Sequence, residues 1–438
     1  MLSRRALLGA AAGLARAQPR RPNVLFLLSD DQRHDTIRTL GNPVIRTPHL
    51  DRLARTGTAF THCFVANPIC TPSRATVLTG RNDFRNGVRF FNEKIRPGLP
   101  LWPEVMREAG YTTFYTGKWH NDGHPADRGF QVVRNLFPRG MGDHRMTLGE
   151  GPGKVTGYSS ELFADAAIEF LDSRPAQPFC AFVCFTAPHD PRTPHERYAN
   201  LYQPADIPLP KNFLPEHPFD NGEMKVRDEQ LLPWPRTPEA IRKERAGYYA
   251  MISHLDEQVG RILEALERNG QAGETIVLFA ADNGLAIGSH GLLGKQNMYD
   301  HSVRVPLLIR APGVGRPGRR SDGLCYLHDL FPTVCELAGV AAPGDLDGRS
   351  LRPLLANPDA PRFRDAVFAS YRDVQRMVRT ERWKLIHYPK ADRMQLFDLR
   401  GDPEETRDLA ASPKHRRIVA TLREKLREHQ TGVGDVIA

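Results

Sequence analysis

The sequence predicts an α/β protein: a large doubly wound mixed sheet flanked by helices, followed by a smaller C-terminal antiparallel sheet plus a helix. Three features predict it. Continuous apolar runs of strand length at 24–28, 179–185 and 275–280 read as strands buried on both faces. Segments of helical period lie between them, the alternation that builds a parallel sheet. After about residue 346 prolines mark a change of composition, and four short strand patterns follow close together.

A chain of 438 residues can form one large core and an appended unit, divided here into 21–345 and 346–438. Hydrophobic residues at 40% and charged residues at 25% exclude a disordered or fibrous class. The formal net charge of +9 favours anionic partners. No nucleic-acid module or aromatic-basic stripe accompanies it, so nucleic acid is not an expected partner.

Residues 1–17 read as an address rather than structure. Arg4-Arg5 stands in a twin-arginine pattern, 6–14 is a short apolar run, and Ala15-Arg16-Ala17 is a small-x-small cleavage site. The run falls far short of the ~20 residues that span a bilayer. A twin-arginine-type signal peptide, a periplasmic or secreted location and no stable membrane anchor are expected. Of the six cysteines none forms a C-x-x-C zinc framework. Cys180 and Cys184 share one strand face about 13 Å apart, too far to bridge, and read as core thiols.

In chain order, the strand 24–28 ends in Asp30 and Asp31, two adjacent carboxylates that are costly beside a buried strand unless a cation neutralises them. Helical patterns are expected over 47–54 and 60–67. Next comes Cys70-Thr71-Pro72-Ser73-Arg74, with Thr71 as a candidate N-cap, Pro72 in the first helical position and Gly80 as the stop. Cys70 then stands at a helix mouth, where unpaired N–H groups attract an anion and are expected to lower the thiol pKa.

A helix is expected over 102–110 and a strand over 111–116, ending in Lys118 and His120. Residues 130–157 lack a period and read as loop. A helix over 161–173 leads to the strand 179–185, which ends in His189. The proline-rich stretch 202–238 reads as a long surface excursion suited to substrate selection. A long helix from about 238 to 268 precedes the strand 275–280, which ends in Asp282 and Asn283. Four strands thus end in chemistry-bearing residues, and in a doubly wound sheet the ligand crevice lies outside the carboxyl ends of the strands.

The Cys70 stretch, continued by Leu78-Thr79-Gly80-Arg81, fits the pattern C-x-P-S-R followed by L-T-G-R and resembles the formylglycine-dependent sulfatases of the alkaline phosphatase superfamily. The likeness runs from about Arg21 to the C-terminal end. Gly117-Lys118-Trp119-His120, Ala187-Pro188-His189, Asp282-Asn283-Gly284, Gly294-Lys295 with Tyr299-Asp300, and Arg304-Val305-Pro306 match further segments of that family.

The resemblance implies that a separate formylglycine-generating enzyme oxidises Cys70 to an aldehyde whose hydrate carries two hydroxyls. One attacks sulfur and the alcohol leaves; loss of the second proton expels sulfate. It also implies a Ca²⁺ site of Asp30, Asp31, the oxygen of residue Cys70 after conversion, Asp282 and Asn283, with Mg²⁺ or Mn²⁺ as alternatives. Arg74 is implied to stabilise the nucleophile, Lys118, Lys295 and His189 to hold sulfate oxygens, and His120 to take the second hydroxyl proton. His189 or Lys295 protonates the leaving alcohol. The expected function is an exported sulfatase acting on sulfate esters, sulfated carbohydrates above all. A phosphonate or phosphate ester hydrolase with the same nucleophile and an unmatured sulfated-glycan-binding protein are the alternatives.

Overall fold

The first apolar run buries alternate residues on opposite sides of one sheet. Val24, Phe26 and Leu28 enter one core, Leu25 and Leu27 another. The structure, a computed structural model, describes residues 21–436 apart from 150, 176–177, 358 and 360–362, so the signal peptide expected over 1–17 lies outside the described residues.

In chain order the strands are β1 (Asn23–Ser29), β2 (Thr58–Phe64), β3 (Thr112–Lys118), β4 (Val132–Phe137), β5 (Arg145–Leu148), β6 (Val155–Tyr158) and β7 (Phe179–Cys184). They continue with β8 (Thr275–Ala281), β9 (Arg304–Arg310), β10 (Arg319–Ser321) and β11 (Cys325–Tyr326). The main sheet runs β10-β2-β9-β8-β1-β7-β3-β4, with β11 beside β2; β5 and β6 form a separate hairpin. From β8 through β1, β7 and β3 to β4 every pairing is parallel, and β9 is antiparallel to both β8 and β2. The sheet is therefore mixed, as expected.

Helices cover both faces. One core packs Val77 and Leu78 of the helix Cys70–Thr79, Trp102 and Met106 of Trp102–Glu108, and Leu330 and Val334 of Leu330–Leu337 against the sheet. The other packs Leu50 and Leu53 of Pro48–Thr56, Phe163 and Phe170 of Ser159–Asp172, and Leu255, Val259, Ile262 and Leu266 of Pro238–Arg268. The last helix starts with Thr237 accepting the N–H of Ala240 at 3.2 Å and with Pro238 in its first turn.

Two expectations are corrected. Residues 60–67, read as helical, mostly lie in β2. A register shift between Phe60 and Cys63 breaks the two-residue alternation and leaves Phe60, Cys63 and Phe64 at a helix-like spacing. Residues 130–157, read as loop, contain β4 and the β5–β6 hairpin. β4 is the last strand of the sheet and mostly half-buried, so it carries no continuous apolar run. All six cysteines are buried free thiols.

The C-terminal strands β12 (Val367–Tyr371), β13 (Gln375–Arg379), β14 (Trp383–Tyr388) and β15 (Arg393–Asp398) form an antiparallel sheet in that order. Met377 and Ile386 on one face pack against Phe64, Tyr299 and Val303 of the large unit; Val378, Leu385 and Leu396 on the other pack against Leu422 and Leu426 of the helix Arg416–Val433.

Candidate functional site

The helix that presents Cys70 begins two residues earlier than the local chemistry suggests. Ile69 is the N-cap in extended conformation, Cys70 is the first helical residue, and no side chain caps the end. Thr71, expected to cap, instead has a buried hydroxyl without a partner. Gly80 closes the helix at φ 63, its N–H on Thr76 O at 2.8 Å. Ser73 ties the helix to β8 by donating from its hydroxyl to the carbonyl of Asp282.

Parallel pairing puts the carboxyl ends of β8, β1, β7 and β3 on one edge, and their terminal residues converge on Cys70. Cys70 Sγ lies 3.4 Å from Asp30 Oδ1 and 3.9 Å from Asp31 Oδ1. Lys295 Nζ stands 3.0 Å and Lys118 Nζ 3.5 Å from the same sulfur. Lys118 also pairs with Asp30, and Lys295 with both oxygens of Asp31 at 2.7 and 2.9 Å. Arg74 Nε donates to Asp282 Oδ2 at 2.9 Å and Nη1 to Lys118 O at 2.7 Å. These side chains are almost fully buried, so their charges interact with little screening by water.

Burial sets the protonation pattern. It raises the Asp30 carboxyl to about 7, with Asp282 adding to the rise and Lys118 and Arg74 opposing it. It raises Asp31 as well, against the pull of Lys295. Asp282 is penalised by burial yet held below the usual carboxylate range by Arg74, Lys118 and Lys295. The Cys70 thiol moves opposite to the sequence expectation: burial and the Asp30 carboxylate push it up, and these outweigh the lysines.

His120 is half-buried at φ 46, stacked on Phe91 with ring centroids 5.5 Å apart, and its Nδ1 has no partner among the described residues. Burial with Lys118, Arg74 and Lys295 lowers its pKa to about 2, so in the free protein the ring is neutral and weakly basic. His189 is also held neutral, by burial and by Lys295 and Lys118. Its Nδ1 lies 2.8 Å from Asp190 O and its Nε2 3.7 Å from Asp31 Oδ2.

Ligand atoms of Asp30, Asp31, Cys70 and His189 all lie within 4.8 Å of one another. Asn283 Oδ1 is buried without a partner among the described residues, while its amide nitrogen donates to Asp31 Oδ1 at 2.6 Å. Two buried carboxylates pushed upward and an orphaned amide oxygen are what a hard divalent cation relieves, so the donor set fits one. Both oxygens of Asp282 already accept bonds, from Asp31 N at 3.1 Å and from Arg74.

Sequence reasoning missed several residues here. Asp190, next to His189, accepts both guanidinium nitrogens of Arg227 at 2.7 and 2.9 Å. Arg227 and Asp228 come from the 202–238 excursion, which is partly buried rather than superficial: Asp228, Glu229 and Arg236 are all buried. Tyr248 donates to Asp31 O at 2.6 Å and accepts the N–H of Arg33 at 2.8 Å. Only the adjacency of Asp190 to a candidate histidine was readable in advance. The site opens into a cavity of about 360 Å³ whose walls include Phe90, Phe91, Met141, Tyr371 and Arg372.

The family profile described as Sulfatase matches residues 22–340, and that described as N-sulphoglucosamine sulphohydrolase, C-terminal, matches residues 288–432. The chain is 28% identical to an N-acetylglucosamine-6-O-sulfatase of Bacteroides thetaiotaomicron, over 97% of this chain and 88% of that protein. A solved enzyme in complex with its substrate D-glucosamine-2-N,6-O-disulfate superposes with a TM-score of 0.82 at 26% identity, covering 95% of this chain and 99% of that one. The phosphonate monoester hydrolase of Agrobacterium radiobacter superposes with a TM-score of 0.79 at 27% identity, over 94% of this chain and 96% of its own.

Proposed function

The chain belongs to the sulfatase family and is a sulfuric ester hydrolase, and on that premise we propose that it is exported and removes sulfate from carbohydrates through a formylglycine at position 70 and a bound Ca²⁺. One observation carries the reading: Cys70 Sγ, which marks where an oxygen of the formylglycine hydrate would stand, lies between two lysine ammonium groups and two strand-end carboxylates. Formylglycine supplies a geminal diol, one hydroxyl for attack on sulfur and one whose deprotonation releases sulfate. A divalent cation held by Asp30, Asp31 and Asn283, with Asp282 beside them, supplies Lewis-acid polarisation.

The chain's own residues do the rest. Lys118 and Lys295 face the anion and bind sulfate oxygens, with His189 beside them. Arg74 is fixed by Asp282 and the Lys118 carbonyl, and among the described residues it keeps one nitrogen, Nη2, without a hydrogen bond. Such preorganised donors count most where charge accumulates in the transition state. His120, whose ring Nδ1 has no partner among the described residues, accepts the second hydroxyl proton once the bound sulfate offsets the cations that depress its basicity. Lys295, which keeps its proton, serves as acid for the leaving alcohol; His189, neutral in the free protein, takes that role only where the bound anion first lets it protonate. The sugar reading rests on the sulfated aminosugar named for the superposed enzyme and on the relative's name.

Mass analysis of the Cys70 tryptic peptide after coexpression with a formylglycine-generating enzyme tests the reading. Loss of ~18 Da is expected, as conversion of a thiol-bearing methylene to an aldehyde requires, together with calcium-dependent sulfate release from N-acetylglucosamine 6-sulfate. An unconverted cysteine in protein that still releases sulfate would remove the nucleophile from the proposal. The superposition on a phosphonate monoester hydrolase favours a second reading, hydrolysis of phosphonate or phosphate esters at the same site. Higher kcat/KM on a phosphonate ester than on the matching sulfate ester would decide for it.

A further inference from the structure

A second cavity, of about 500 Å³, opens among residues 33–43, 208–211 and 304–306 and the helix Pro238–Arg268. It shares no lining residue with the catalytic cavity. Arg245 on its wall is only 5% exposed. One of its nitrogens, Nη2, donates to Tyr249 OH at 2.9 Å; Nε and Nη1 are buried with no hydrogen-bond partner among the described residues. Tyr249 OH also accepts from Asn42 Nδ2 at 3.2 Å, so both its acceptor positions are taken and its own proton is left to donate. His34 Nδ1 is a further buried nitrogen on the same wall, without a hydrogen-bond partner among the described residues.

No acid among the described residues hydrogen-bonds the two idle nitrogens of Arg245, although Asp35 lies near enough to feel its charge. Asp35 is held in a fork by Arg33, through two bonds of 2.8 Å. Lys211 and Arg304 add positive charge to the lining, with Glu404 as the other acid. A buried guanidinium with two idle nitrogens is costly, and a ligand rich in acceptors removes that cost. We propose that this cavity is a second binding site, for an oxyanion group such as sulfate or carboxylate, with Arg245 and Tyr249 as its principal donors. Its volume exceeds what a bare sulfate fills and suits an anion carried on a sugar ring.

The test uses full-length, calcium-loaded protein left as unconverted Cys70 so that ligand is not turned over, titrated calorimetrically with inorganic sulfate and separately with N-acetylglucosamine 6-sulfate. Wild type is expected to bind two equivalents of the sugar sulfate, one lost or weakened about tenfold in Arg245→Gln and weakened less in Tyr249→Phe. Turnover of a small sulfate ester by the converted variants should match wild type. A second equivalent with inorganic sulfate as well would mean that the free anion suffices; with the sugar alone, that the ring is recognised. Either supports the site. A single equivalent in wild type, or two undiminished equivalents in Arg245→Gln, overturns it. Should Arg245→Gln fail to fold by circular dichroism, Tyr249→Phe decides: unchanged affinity for the second equivalent overturns the site.

Discussion

Lys295 holds its ammonium 3.0 Å from Cys70 Sγ while bonding both carboxylate oxygens of Asp31. One cation thus serves the nucleophile position and the strand-end acids together. Lys295→Ala is expected to lower kcat/KM by roughly 10²–10³-fold, the scale of losing one preorganised donor. It also leaves Asp31 buried without its partner, a loss of about 3–5 kcal/mol where nothing replaces the charge. Thermal denaturation should therefore show a deficit that is large in chelator and small in excess calcium. An equal deficit in both would mean that no cation reaches Asp31.

Metal removal has its own signature. Burial pushes both Asp30 and Asp31 up, and Asn283 Oδ1 has no partner among the described residues. Dialysis against a chelator should abolish turnover and lower the melting temperature, both recovering on addition of calcium. At a calcium concentration 100 times Kd the stabilisation is about 2.7 kcal/mol by mass action. Full activity after exhaustive chelation would refute a resident divalent cation.

Lys118 depends on a glycine. Gly117, at φ +105, lies where β3 meets β7, and a Cβ there would stand 1.9 Å from the carbonyl oxygen of Cys184. Backbone cannot yield as a flexible side chain does. Gly117→Ala is expected to destabilise by on the order of 2–4 kcal/mol. Activity should fall with it, because Lys118 is the next residue. A urea midpoint equal to wild type would mean that the two strands separate more easily than their pairing implies.

Asp83 gives a pH dependence outside the catalytic cluster. Its carboxylate accepts from Asn67 Nδ2 at 3.0 Å and from Ser370 Oγ at 3.2 Å, and burial raises its pKa to about 6. The folded state binds the proton more tightly than the unfolded chain. The associated stability is complete below about pH 3.8 and is lost as pH rises through 6. Asp83→Asn keeps the shape without the charge, so it should be more stable than wild type at pH 8 by on the order of 1–3 kcal/mol and nearly equal to it at pH 4. Urea unfolding at the two values checks this; a constant difference would remove Asp83 from the pH dependence.

What could be read in advance follows from how local each feature is. Asp30, Lys118, His189 and Asp282 were visible because each follows an apolar strand pattern, and parallel pairing then brings strand ends together. The helix Pro238–Arg268 was visible from its long period. β2 was hidden by its register shift and β4 by its position at the sheet edge. The Cys70 thiol was misjudged because a helix terminus is local, whereas the burial and the Asp30 charge that outweigh it come from tertiary packing. Arg227 and Asp228 reach the site from a proline-rich stretch with no period to read.

Tyr248 supports the site without belonging to it. Asp31 sits at φ 64, a left-handed conformation that Asp tolerates better than most residues but does not prefer. The Tyr248 hydroxyl bridges that turn, donating to the Asp31 carbonyl and accepting the N–H of Arg33. Tyr248→Phe keeps the ring and leaves the Arg33 N–H buried and unsatisfied, a cost of about 1–3 kcal/mol. If the bridge merely stabilises the fold, only the unfolding midpoint should move. If it orients Asp31 as a ligand, the calcium concentration for half-maximal activity should rise about 10–100-fold while kcat at saturating calcium stays close to wild type. We expect the second outcome, because the hydroxyl acts on the backbone of Asp31 itself; an unchanged calcium requirement would reduce Tyr248 to a structural residue.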